Sequence, residues 1–318
     1  GTLSFAPGET VKTVRVQLRD DGTAEGSEVF NFTLRSATNA SIATASVAVT
    51  LVDDDDAPRP LLSQGRSDDV YVVDTTAVDF IEATDGGFDV VRSSVSFALP
   101  AVLEGVILTG NALNATGHDG ANFFMGNAAN NSFDGRGGID TVAYPGRDTD
   151  YAISGGTASR TVARNGEGTD TLLSIERLQF TSVVQAFDTS PGGNTWGAFA
   201  LLNAAFDQFP DATALGQWTS MLDRSGGDLN ELARQMIQYY APGVDNESLV
   251  LHLWSTVAEA PISPADLAAF VGLIDSGSYT QASLTVLAAM HPFNTDEFVA
   301  LVGQPMLLDS SWFPLPGA

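Results

Sequence analysis

Residues 117–143 read GHDGANFFM GNAANNSFD GRGGIDTVA, three copies of one nine-residue shape. Glycine opens each copy, at Gly117, Gly126 and Gly135. The sixth place holds Asn122, Asn131 and Asp140, and the eighth holds Phe124, Phe133 and Val142. The first half of each copy is turn chemistry, because glycine and asparagine tolerate positive φ. The second half is a short strand whose apolar eighth place points inward and stacks on its copies above and below. A nine-residue period that alternates turn and strand is the mark of a parallel β-solenoid.

Outward from this stretch the chain is acidic. Its 318 residues carry 14 basic and 39 acidic side chains, a net charge of −25, with Lys12 the single lysine and no cysteine. The acidity is spread along the chain, with bursts such as Asp53, Asp54, Asp55 and Asp56. That balance argues against partners among nucleic acids and anionic membranes and suits a protein that meets divalent cations. The plainer reading is a well-solvated acidic surface. A cysteine-free extracellular protein has no disulfides, and metal ions are a common substitute staple. No apolar run reaches transmembrane length, so membrane insertion is not expected. No signal peptide opens the chain and Gly1 begins inside a β-rich motif, which leads us to expect the C-terminal piece of something longer.

Residues 1–56 alternate with period two. Val14, Val16 and Leu18 are interleaved with polar residues, as are Phe30, Phe32 and Leu34, and Val47, Val49 and Leu51. These are half-buried antiparallel strands, about four of them, too few for a free-standing sandwich. Between strands lies DDGTAEGSEVF (residues 20–30), ending in a Glu-x-x-Glu pair, and the last strand runs into DDDD. Together with FAPGET (residues 5–10) this resembles the second half of a Calx-β domain, a seven-strand sandwich with calcium at one tip. The resemblance implies Asp20, Asp21, Glu25 and Glu28, with Asp53, Asp54 and Asp55, as calcium ligands. Calcium takes six to eight oxygen ligands, and clustered carboxylates repel one another until a cation joins them. The alternative is a solvated acidic turn. The missing strands would precede Gly1 or come from a neighbouring copy of the chain, since half a sandwich leaves an unpaired edge.

Residues 57–66, APRPLLSQGR, read as a linker. Residues 67–188 form a second β-rich region, through SDDVYVVD, FIEATDGGFDVVRSSVSFAL and VLEGVILTG to the nonapeptides, then GIDTVAYPGRDTDYAI and EGTDTLLSIERLQF. This order resembles the calcium-binding β-roll of RTX proteins and the irregular solenoid around it. The family's repeat is Gly-Gly-x-Gly-x-Asp-x-apolar-x. Here His118, Asn127 and Arg136 stand at the second place, Ala129 at one fourth place, and only Asp140 keeps the sixth-place aspartate. Asparagine keeps an oxygen and loses the charge. The resemblance therefore implies at most one or two calcium ions, near Asp119, Asp134 and Asp140; the competing reading is an asparagine ladder that stacks turns without metal.

Residues 189–318 change character: glycine thins out and helical periods appear. Phe199, Leu202, Phe206 and Phe209 share one face; Leu229, Leu232, Met236 and Tyr240 a second; Leu249, Leu253 and Val257 a third. Asp228 with Glu231, and Ser263 with Pro264 and Asp266, are start signals. We expect six or seven helices of 10 to 15 residues. A weak repeat sets Leu215, Trp218, Leu222, Asp223 and Leu232 about 52 residues before Leu267, Phe270, Ile274, Asp275 and Leu284. With PDATALGQW (residues 210–218) this resembles the DUF4214 family of helical domains, although the arginine that family carries before the proline is absent and the second copy reads APISPAD.

No G-x-S-x-G, H-E-x-x-H or phosphate-cradling loop is present, and His118, His252 and His291 do not cluster with a nucleophile. The fold class expected is thus multidomain α+β: partial β-sandwich, β-roll-like solenoid, all-α domain. The resemblances imply a non-catalytic structural or adhesive segment of a secreted bacterial cell-surface protein, stabilised by calcium and exported by type I secretion. The alternative is the export and folding module of a secreted RTX hydrolase whose catalytic domain lies upstream. Surface glycans are a further expected partner, with Trp218 or Trp254 as a platform. Replacing Glu25→Gln and Glu28→Gln together should weaken the first calcium site; an unaltered calorimetric titration counts against those ligands.

Overall fold

The computed structural model describes residues 2–7, 9–10, 12, 14, 28–51, 61–63, 68–81, 87–156, 158–164 and 168–315. The chain divides into two compact units, Gly1–Pro60 and Leu61–Ala318. In the first, β1 (Glu28–Thr33) and β2 (Ser46–Leu51) pair antiparallel, with Phe30 opposite Val49 and Phe32 opposite Val47. That is the expected alternation. None of the side chains described in this unit is buried. Among the described residues this is the one strand pair of the unit, and two strands by themselves are marginal in water.

The second unit opens with short strands that climb a solenoid of about four turns. In chain order they are β3 (Leu61–Ser63), β4 (Val70–Val73), β5 (Asp79–Ile81), β6 (Val90–Ser93), β7 (Phe97–Ala98), β8 (Gly105–Leu108), β9 (Asn114–Thr116), β10 (Phe123–Met125), β11 (Ser132–Asp134) and β12 (Thr141–Ala143). A meander follows, β13 (Ala152–Gly155), β14 (Ser159–Ala163) and β15 (Thr169–Leu173), and then β16 (Arg177–Gln179) and β17 (Val183–Ala186). Even-numbered strands from β4 to β12 line up parallel in one sheet, which continues through β16. The facing sheet runs β7, β9, β11, β15 in parallel, with β14 and β13 added antiparallel at its edge.

Each nonapeptide is therefore half a coil. Successive copies face each other across the core, and only every second copy stacks. The register places Val91, Val106, Phe124, Val142 and Leu178 in one column, every one of them 0% exposed. Phe97, Ala115, Phe133 and Leu172 form the opposing column, and Phe124 meets Phe133 across the gap with ring centroids 5.5 Å apart. The inward eighth place is as the sequence predicts; the stacking period is two copies rather than one. Each such buried aromatic or aliphatic side chain contributes about 1.5–3 kcal/mol.

Seven helices follow among the described residues: α1 (Asn194–Phe206), α2 (Ala212–Arg224), α3 (Leu229–Tyr240), α4 (Asn246–Val257), α5 (Pro264–Asp275), α6 (Gln281–Ala289) and the single turn α7 (Pro292–Thr295). Their starts are capped as expected. Asp228 accepts from the amides of Asn230 and Glu231, and Ser263 Oγ accepts from Asp266 N at 3.1 Å. No helix among the described residues is long and apolar enough to cross a membrane. The last strand, β18 (Met306–Asp309), returns to pair antiparallel with β17 and completes the eight-stranded sheet. Met306 and Leu308 are buried in the helical core, Ser220 Oγ donates to Trp312 O, and Gln179 Nε2 donates to Phe313 O. The C-terminal segment thus docks on the solenoid's last strands and on α2 together.

One buried cation joins the two parts of this unit. Arg177, at the start of β16, is 1% exposed. Its guanidinium donates to both oxygens of Asp188 and, at 3.2 and 3.3 Å, to both oxygens of Asp223 on α2. Asp188 also accepts from Thr195 N in the first turn of α1. Burial alone would raise the Asp188 carboxyl; the Arg177 contact outweighs it and holds the group below its ordinary range. Removing one member of such a buried set strands the others, so Arg177→Met should cost about 3–5 kcal/mol in urea unfolding. Adding Asp188→Asn and Asp223→Asn should recover most of that loss.

Candidate metal centre

The residue just before each strand of the eight-stranded sheet, from β4 to β16, carries a side-chain oxygen: Asp69, Asp89, Glu104, Asn122, Asp140 and Glu176. At this corner the chain turns into the strand, and the backbone amide needs an acceptor. The next coil supplies it. Asp69 N donates to Asp89 Oδ1 (2.9 Å), Asp89 N to Glu104 Oε2 (2.7 Å), Asn122 N to Asp140 Oδ1 (2.8 Å) and Asp140 N to Glu176 Oε2 (2.9 Å). The rung between Glu104 and Asn122 is missing, and Glu104 N donates to Asp89 O instead at 3.0 Å. Beside it, His118 Nδ1 accepts from Gly120 N, and Nε2 lies 3.0 Å from Leu103 O and 2.9 Å from Asn122 Nδ2. A partial second ladder serves the facing sheet, where Asn131 N donates to Asp170 Oδ1 at 2.8 Å.

The turns close by a second bond. In the first two nonapeptides the amide at the second place donates across the turn to the sixth-place asparagine: His118 N to Asn122 Oδ1 at 2.8 Å, and Asn127 N to Asn131 Oδ1 at 3.0 Å. The carbonyl-side oxygen then sits where a first-place Cβ would be, 2.1 Å from it at Gly117 and 2.4 Å at Gly126, so only glycine fits.

The third copy breaks this rule. Arg136 takes φ +69°, and its amide turns to Asp134 Oδ1 at 3.2 Å instead. Asp140 is completely buried, and its Oδ2 has no hydrogen-bond partner. That oxygen lies 2.4 Å from where a Cβ on Gly135 would stand. Burial pushes the Asp140 carboxyl up to about 9, against the Asn122 amide that lowers it, with the charges of Glu176 and Asp134 adding to the rise. Glu176 and Glu104 are raised as well, each chiefly by burial.

Among the ten residues expected to hold metal, Asp20, Asp21, Glu25, Asp53, Asp54 and Asp55 lie outside the described residues. Glu28 opens β1, opposite Leu51. Asp119 is exposed at its turn and packs beside Gly137; Asp134 is half-buried at the end of β11; Asp140 is buried. Asp134 and Asp140 are electrostatically coupled, but the three carboxylates do not converge on one point. Among the described residues the one acidic trio with ligand atoms within 4.8 Å of one another is Asp207, Glu259 and Glu297, all exposed on the helical side. The ladder carboxylates Asp69, Asp89, Glu104 and Glu176 went unrecognised in the nonapeptide frame. Their signal is an acidic residue immediately before an apolar strand, as in DVYVV, DVVRS, EGVIL and ERLQF.

One buried acceptor is left open at this corner: Asp140 Oδ2 has nothing to accept, in surroundings that Glu176 and Asp134 make negative. The asparagine turns do not ask for metal, because their amides already fill the sixth-place oxygen. No family model matches the chain, and no curated protein matches it. In metal-free protein the raised Asp140 holds its proton in the folded state and releases it on unfolding. Stability should therefore fall as pH rises from about 4 toward about 9. Asp140→Asn should flatten that slope in urea titrations with chelator, leaving the contributions of the other raised carboxyls, Glu176, Glu104, Asp89 and Asp223.

Proposed function

We propose that the chain is a non-catalytic structural or adhesive segment of a secreted bacterial cell-surface protein of the RTX type, stiffened by calcium outside the cell. The orphaned, buried oxygen of Asp140 carries this reading. A solenoid of this kind tolerates an acid at its inner corner when the acid is neutral or when a cation faces it. Asp140 and Asp134, with carbonyls of the Gly135 turn, would hold the ion. Calcium supplies positive charge that removes the cost of ionising Asp140 and draws two neighbouring turns together. In calcium-poor cytosol the same corner disfavours the ionised, folded state, which suits export before folding. The acidic net charge of −25 adds to both effects.

The same reading extends to the first unit, where the likeness to a Calx-β domain supplies a second set of carboxylates. There the strand pair β1–β2 would take a further strand from a neighbouring copy of the chain. The helical region would be similar to DUF4214 domains.

Calorimetric melts of the full chain test this directly. Calcium should raise stability by about 2.7 kcal/mol when present at a hundredfold over its Kd. Magnesium should do less, and Asp140→Asn should lose the Leu61–Ala318 part of the response. Superimposable melts in chelator and in millimolar calcium would remove metal from the account.

A further inference from the structure

Three carboxylates meet at one end of the helical region, away from the solenoid corner. Asp207, Glu259 and Glu297 bring ligand oxygens within 4.8 Å of one another. Asp207 caps the C-terminus of α1, Glu259 follows α4, and Glu297 lies in the 3₁₀ segment Asp296–Leu301. Polar contacts hold two of these ends together. Thr256 Oγ1 donates to Ala204 O at 2.6 Å and His252 Nε2 to Ala205 O at 2.7 Å, which ties the second half of α4 to the last turn of α1. Like charges this close repel one another. Residues 189–318 contain two arginines and no lysine, and Arg234 is taken by Glu231. Among the described residues no basic side chain pairs with any of the three.

Exposed acidic groups often cluster without an ion, and what sets this cluster apart is the side chain beneath it. Asn203 stands one turn before Asp207 on the same face of α1 and is 2% exposed. Its Nδ2 uses both hydrogens, on Asn294 Oδ1 at 3.1 Å and on Glu297 Oε2 at 2.9 Å. Asn294 is completely buried, and its own Nδ2 donates to Ala200 O and Ala289 O, so it can present only an oxygen to Asn203. The Asn203 amide is thereby fixed in one orientation, and its Oδ1 is left over. Among the described residues nothing donates to that oxygen. A buried side chain whose acceptor has no donor is rare in native interiors. The amide that carries it touches one member of the trio and lies one helical turn from another.

We propose that Asp207, Glu259 and Glu297, with Asn203 Oδ1, bind one calcium ion at a site separate from the Asp140 corner. Four oxygens, three of them from carboxylates, are the hard donors that calcium takes, and water completes its six to eight ligands. Calcium–oxygen bonds of about 2.3–2.6 Å let a single ion touch oxygens spread over as much as 4.8 Å. Magnesium fits less well, because it requires a near-ideal octahedron at about 2.0–2.1 Å and gives up water reluctantly. A softer transition ion finds no sulfur, since the chain has no cysteine, and His252 is already engaged by Ala205 O. The ion gives Asn203 Oδ1 its partner and removes the repulsion among the carboxylates. It also staples the ends of α1 and α4 to the segment after α7. No residue is shared with the solenoid corner, so the two sites stand or fall separately.

The test titrates the full chain with calcium chloride by calorimetry at about 0.15 M salt, where exposed charges are well screened. An Asp140→Asn background silences the corner. Adding Asp207→Asn and Glu259→Gln removes two charges and keeps the side-chain shapes, and asparagine tolerates the left-handed φ of +49° at residue 207. The expected result is saturable calcium binding in the background protein, and in the variant either one ion fewer or an affinity weaker by about tenfold or more. Magnesium should bind more weakly than calcium to the background protein. Manganese then locates the ion: paramagnetic broadening should fall on the amides of 203–207, 257–259 and 296–298, and the substitutions should abolish it. Should the double variant misfold, Glu259→Gln alone, at an exposed side chain, supplies the same comparison. Unchanged stoichiometry and affinity in the folded variant, calcium binding that does not saturate at this salt, or manganese broadening that spares these three segments would each overturn the proposal.

Discussion

Arg177 ties the molecule's two kinds of structure to each other. It begins the sixth strand of the solenoid sheet, and its guanidinium reaches the carboxylates that begin the helical region, Asp188 before α1 and Asp223 on α2. A charge this deep is tolerable because two anions surround it and because one oxygen of each takes a further bond, from Thr195 N and Asn194 Nδ2. The arrangement fixes where the first helix starts relative to the last coil. Around it the polypeptide closes a second time: the C-terminal strand pairs with β17, and its inward side chains Met306 and Leu308 enter the helical core. Solenoid and helices consequently form one compact unit with two apolar cores rather than two beads on a string.

Within the solenoid, polar side chains do the work that backbone pairing cannot do at a corner. Asparagine suits this place because it accepts one amide bond without carrying charge into the interior. The acid at the same place, Asp140, gives one oxygen to the Asn122 amide of the preceding coil and holds a second oxygen that its own turn leaves empty. The three nonapeptides show both solutions side by side. Asn122 and Asn131 are closed and neutral; Asp140, beside a turn reversed at Arg136, is open and acidic. The acid at the sixth place and the reversed turn at Arg136 together separate a turn that is complete by itself from one with an open acceptor.

The internal repeat of the helical region makes a related point. Equivalent positions 52 residues apart are chemically similar, but the first copy lies against the end of the solenoid and the second does not. Asp223 is consumed by the buried Arg177, whereas its counterpart Asp275 is exposed and takes only the Asn246 side-chain amide. Trp218 is sealed in the core, while Phe270 of the second copy covers an open groove. Context, not sequence, made one copy structural and left the other available.

Local chemistry alone determined a good deal. Periodicity announced the solenoid, the inward eighth place, the antiparallel pairing of residues 28–51 and the helices with their Asp228 and Ser263 caps, because each follows from one residue's preference and its near neighbours. Tertiary structure decided which acids matter. Whether an aspartate is a solvated turn residue or a buried, proton-holding one depends on what the next coil presents, and that coil is 36 residues away in sequence for the Asp140–Glu176 rung. It also decided that successive nonapeptides oppose rather than stack, and that the final strand belongs to the solenoid. Those outcomes rest on contacts between distant segments, whose energies no local pattern encodes.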